Sequence, residues 1–153
     1  MANHAYICTD EEVDGARLKA LLDQVNEERF GGLLKFQANG DHFMALINDY
    51  ESFIEIWVHE PTEYSEEDAK LEVRHGHGYN VAWYTDFYIS NWIAEKLNGC
   101  VIDESDGERQ TPDFHKRHPR LSSMIDAWSY GGIRRICLKL ERKDVGKELF
   151  KIL

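Results

Sequence analysis

The chain has 153 residues, 42% of them hydrophobic and 30% charged, with a formal net charge of −10. A chain of this length buries roughly two-thirds of its unfolded surface, so it needs no disulfide or metal to hold a core. The acidic balance argues against nucleic acid as a partner, because phosphate attraction needs basic surface, and it favours a basic protein instead.

The opening "MANHAYICTDEE" has no basic n-region and no apolar h-region, so it is not expected to act as a signal peptide. No apolar run approaches the roughly 18 residues of a spanning helix, and no membrane association is expected. Cys8, Cys100 and Cys137 are odd in number and far apart, and none belongs to a C-x-x-C pair. They read as thiols in a reducing, cytoplasmic setting. No repeat or Pro/Gly/Ser linker divides the chain, which reads as a single domain over 1–153.

"AYIC" is a short strand candidate. Thr9 and Glu12 have capping-box spacing, and acids fill the turn that follows. Val13, Leu18, Leu21, Leu22 and Val25 then recur at helical spacing up to a stop at Gly31. Gly15 weakens that helix by roughly 1 kcal/mol against alanine. "LLKFQA" and "HFMALIN" flank Asn39-Gly40-Asp41, a strong hairpin signal, so 33–38 should pair antiparallel with 42–48. In "FIEIWVHE", Ile54, Ile56 and Val58 share one face, with Phe53 and Trp57 on the other. Apolar groups on both faces make this a central strand, and the three strands form a meander packed on the first helix.

"YSEEDAKLEV" suggests a short acidic helix capped by Ser65. "TDFYISNWIAEKLNG" gives a better helix, capped by Thr85, with a stripe of Ile89, Trp92, Ile93 and Leu97 ended by Asn98-Gly99. "CVID" is a short strand and "ESDGERQTPDFHKRH" a polar loop. A helix over "PRLSSMIDAWSYGG", a strand over "IRRICLKLER" and a weak terminal helix complete the pattern. Strands followed by helices and late strands indicate α+β: an antiparallel sheet packed against several helices.

The candidate sites lie in the polar stretches. In "RHGHGYN", His75 and His77 are two apart, which in a strand puts both imidazoles on one face, as a metal pair requires. His115 and His118 could complete a set in space, with Asp113 adding oxygen. H-E-x-x-H is absent, and the bland alternative is a solvated glycine turn. Neither phosphate-cradling glycine motif is present. No metal or other cofactor is therefore assigned.

Tyr79, Trp83, Tyr84, Phe87, Tyr88 and Trp92 crowd into 14 positions. One helix cannot turn all of them inward. Trp83, Tyr84 and Tyr88 are therefore candidate contacts for a partner, set against the plainer reading of an aromatic core. Asp103, Glu104, Asp106 and Glu108 form an acidic turn. It fails as an EF-hand, because the twelfth position counted from Asp103 is Phe114. Such a turn suits a basic partner. Arg117 and Arg120 are candidate anion ligands, with charge balance as the plain alternative.

The reading that emerges is a small acidic cytosolic binding protein, inhibitor- or immunity-like, engaging a basic protein through acidic and aromatic surface. The alternative is a small His- or metal-assisted hydrolase of a phosphorylated substrate, built on His75, His77, His115 and His118. An enzyme requires those histidines to converge on one pocket. A binder requires a contiguous acidic and aromatic surface.

Overall fold

A computed structural model describes residues 3–30, 32, 34–47, 52–75, 80–103 and 107–112. They form seven strands and two helices: β1 (Asn3–Cys8), α1 (Gly15–Phe30), β2 (Phe36–Asn39), β3 (His42–Ile47), β4 (Ser52–Val58), β5 (Ala69–His75), α2 (Asn80–Lys96), β6 (Cys100–Asp103) and β7 (Arg109–Gln110). The strands make one sheet in the order β2-β3-β4-β5-β1-β6-β7. Every pairing in it is antiparallel. The class is mixed α and β, as expected, with two helices among the described residues rather than several. The elements expected after residue 112 lie outside the described residues.

The meander forms as the sequence predicts. β2 pairs with β3 from Phe36 opposite Ala45 to Asn39 opposite His42. Gly40 has φ 65° at the first turn position, a backbone that glycine adopts without steric cost. β4 lies between β3 and β5, inside the sheet. β1, the first element of the chain, inserts between β5 and β6. That long-range insertion makes β1 central.

Both helices cover the same sheet face. Leu18, Leu21, Leu22 and Val25 of α1 and Ile89, Trp92, Ile93 and Leu97 of α2 join one buried cluster. The sheet contributes Ile7, Phe43, Ala45, Ile54, Ile56, Leu71, Val73 and Val101 to it. Asp14, not Thr9, caps α1: the Arg17 backbone N–H donates to Asp14 Oδ1 at 2.8 Å. Thr9 has a different task. Its hydroxyl donates to the Leu97 carbonyl at 2.6 Å, tying the end of α2 to the end of β1. Asn98, at φ 51°, ends α2. The Gly99 N–H then donates to the Ala94 carbonyl and the Asn98 N–H to the Glu95 carbonyl, which is a Schellman closure.

One expected helix is a strand. Residues 62–68 form tight turns, with the Ser65 N–H donating to the Thr62 carbonyl and the Ala69 N–H to the Glu66 carbonyl. Strand β5 follows. Ala69, Leu71, Val73 and His75 are buried, while Lys70, Glu72 and Arg74 alternate with them on the other face. That period of two decides for strand over helix.

Candidate functional site

The sheet face away from the helices is polar and aromatic, and the strand register explains its composition. Ile102, Tyr6, Glu72, Trp57 and His42 are cross-strand neighbours in one continuous row over β6, β1, β5, β4 and β3. His4, Arg74, Glu55 and Met44 form the next row. Side chains in such rows stand about 5 Å apart and interact directly.

In the second row Glu55 is 6% exposed. It accepts hydrogen bonds from Arg74 and from His42 Nε2, the latter at 2.7 Å. The Arg74 guanidinium on one side and the His42 imidazole on the other hold this buried carboxylate. His42 also stacks on Trp57, with ring centroids 5.0 Å apart, while His4 meets the same indole edge-on.

The first row is built around Glu72. Trp57 Nε1–H donates to Glu72 Oε2 at 3.0 Å, and His59 Nδ1 is 2.9 Å from the same oxygen. A carboxylate only accepts, so Nδ1 carries the proton. In the neutral imidazole, Nε2 is then an acceptor. The His59 side chain is 6% exposed, and its Nε2 is buried with no hydrogen-bond partner. Tyr6 packs edge-on against the ring at 5.4 Å.

These residues line a cavity of about 560 Å³ between the sheet and the segment that joins β4 to β5. Tyr6, Trp57, His59, Ala69, Glu72 and Ile102 contribute from the sheet side. Glu60, Thr62, Tyr64, Ser65 and Glu66 contribute from the connecting segment, and Asp41 from the β2–β3 turn. Among the described residues the lining has four carboxylates and no lysine or arginine. Tyr64 stands at the rim, 90% exposed. Beside the cavity, Arg109 grips both oxygens of Asp68 at 2.8 and 2.9 Å and reaches Glu66 at 3.3 Å. The Arg109 hydrogen bond holds the Asp68 carboxyl below the usual carboxylate range.

His75, expected in a solvated turn, is instead buried at the end of β5, 8% exposed. Its Nδ1 lies 2.6 Å from Asp86 Oδ2 on α2. Burial pushes the Asp86 carboxyl up, against the lowering pull of His75. This pair sits between sheet and helix, on the face opposite the cavity. His77, His115, His118, Arg117 and Arg120 lie outside the described residues. Among the described residues, no three His, Cys, Asp or Glu side chains gather as a metal ion requires.

Trp83 and Tyr84 fall within α2. Tyr88 is half-buried and packs against the core cluster. Asp103 is half-buried at the end of β6 opposite Ala5, and Glu108 is exposed. Glu104 and Asp106 lie outside the described residues. Of the described candidates, Tyr88, Asp103 and Glu108 do not line the cavity. The residues that do, Tyr6, Trp57, His59 and Glu72 above all, were not singled out from sequence. The available signal was the alternation of "KLEVRH" beside that of "FIEIWVHE", which sets Glu72 and Trp57 on the face away from the core.

No described helix is long and apolar enough to cross a membrane. No family model matches the chain, and neither does any curated protein or solved structure.

Proposed function

We propose that the chain is a non-catalytic binding protein, inhibitor- or immunity-like, that engages a basic protein partner in the cytoplasm. The cavity carries this reading. Its carboxylates, Asp41, Glu60, Glu66 and Glu72, stand among the rings of Tyr6, Trp57 and Tyr64, and the described residues of the wall include no lysine or arginine. Acid surrounding aromatic rings attracts cationic side chains through both charge and ring quadrupole. The net charge of −10 extends the same attraction beyond the contact. Its volume is within the roughly 300–1,000 Å³ of ordinary ligand sites. The free thiols of Cys8 and Cys100 suit a reducing compartment.

The test is titration of an arginine-rich peptide and a glutamate-rich peptide of equal length into the protein by calorimetry. The basic peptide should bind, and the acidic one should not. Glu60→Gln with Glu66→Gln should weaken the basic peptide several-fold. Equal behaviour of the two peptides would end this reading.

A further inference from the structure

We propose that Cys8 and Cys100 are a redox-active thiol pair that closes to a cross-strand disulfide by exchange with a small cationic disulfide. This chemistry differs from the basic-partner reading and stands without it.

Strand register brings the two thiols together. Cys8, the last residue of β1, is directly opposite Cys100, the first residue of β6. Directly opposite residues of an antiparallel pair have Cα atoms about 4.5–5.5 Å apart, inside the roughly 4.4–6.8 Å that a disulfide spans. Their neighbours Ile7 and Val101 join the core under the helices, so by alternation both cysteines stand on the opposite face. There they pack with Tyr6, Ala69 and Ile102. Those three residues belong to the cavity wall, so the cavity gives a small reagent its approach. Both thiols are free.

One ion pair touches both sulfurs. Arg109 Nη1 donates to Cys100 Sγ at 3.4 Å and to Asp68 Oδ2 at 2.8 Å. Asp68 in turn accepts the Cys8 S–H. Arg109 also reaches Glu66, so two carboxylates adjoin the pair. With the net charge of −10, they favour a cationic reagent over an anionic one.

The two cysteines play different parts. Cys100 is half-buried, whereas Cys8 is 1% exposed, so Cys100 meets the reagent. Its thiolate attacks one sulfur of the small disulfide, and the first small thiol leaves with the Cys100 proton. Cys8 then attacks Cys100 Sγ in the mixed disulfide. The second small thiol leaves and takes up the Cys8 proton. In sum, two protein thiols are oxidised to one disulfide, and one small disulfide is reduced to two thiols. Burial pushes the Cys8 thiol up to about 12. Only roughly 10⁻⁴ of it is then thiolate at pH 8, but effective molarities of about 10⁵ M or more between oriented groups offset that fraction. Cys8 is therefore inert towards a reagent in bulk solution and reactive towards its neighbour.

The experiment treats the reduced full chain at pH 8 with cystamine, a cationic disulfide, and in parallel with glutathione disulfide, an anionic one. Peptide mapping by mass spectrometry follows. Peptides carrying Cys8 and Cys100 should be recovered joined, and dithiothreitol should release them. Cystamine should react several-fold faster than glutathione disulfide. Cys8→Ser should halt at a mixed disulfide on Cys100, and Cys100→Ser should leave Cys8 unmodified. The parent map is decisive by itself should either variant fail to fold. A mixed disulfide that persists on Cys100 of the parent, or an unreacted Cys100, would overturn the proposal. So would a bond from either cysteine to Cys137, which lies outside the described residues. Equal rates with the two reagents would overturn the choice of a cationic one.

Discussion

Single buried groups in this fold have consequences that can be measured one residue at a time. Cys8 is 1% exposed, and burial, reinforced by Asp68, pushes its thiol up to about 12. Only the thiolate is nucleophilic, so Cys8 in the native protein should resist alkylation at pH 8. Mass spectrometry of iodoacetamide-treated protein should show Cys8 modified only once the chain is unfolded. Asp86 makes a second case. Burial raises its carboxyl above the usual carboxylate range. Between that range and the raised value, the folded chain keeps a proton that the unfolded chain has released, so stability should fall as pH rises through this window. Asp86→Asn has no such proton, and its urea midpoint should vary less across the window than that of the parent. Asp86→Ala removes the acceptor of His75 Nδ1 and should cost about 1–3 kcal/mol.

At the scale of elements, one glycine decides whether α2 can close against β1. A Cβ built on Gly99 falls 2.0 Å from the Cys8 carbonyl oxygen and 3.1 Å from the Thr9 Cβ. Neither neighbour yields easily: Cys8 ends the central strand and Thr9 is bonded to Leu97. Gly99→Ala should lower stability by more than about 1 kcal/mol and visibly depress the thermal midpoint. Gly40→Ala, with open space around it and only its φ to accommodate, should cost about 1–2 kcal/mol without disturbing the β1–α2 junction. This junction also shows what was legible in the sequence. Asn98-Gly99 marks the helix end plainly, yet the positive φ belongs to Asn98, while Gly99 serves the close approach to β1. The hairpin at Gly40 and the stripes of both helices were legible because turn chemistry and period are local. Strand β5 was not, because Ser65 and the acids before it mimic a helix start. The position of β1 between β5 and β6 depends on partners more than 60 residues away, which no local pattern reports.

Across the whole molecule, the acid was legible and its arrangement was not. Composition gives −10, but the carboxylates that share a cavity come from a turn, a connecting segment and a strand: Asp41, Glu60, Glu66 and Glu72. Of the acidic run at 103–108, Asp103 is half-buried beside β1 and Glu108 is exposed. Three-dimensional register, not sequence proximity, assembles the site. If the binding reading holds, charge and rings should act on different rate constants. Long-range attraction is screened over about 10 Å at 0.1 M salt, so association with an arginine-rich peptide should slow markedly as salt rises. Glu60→Lys with Glu66→Lys should produce the same slowing at low salt and leave dissociation nearly unchanged. Tyr64, 90% exposed, supports no core contact, so Tyr64→Ala should leave stability intact. Its loss should instead speed dissociation, because contacts formed after docking control residence time. Stopped-flow mixing at two ionic strengths separates the two effects. Association indifferent both to salt and to the lysine substitutions would show that the acidic surface does not steer the partner.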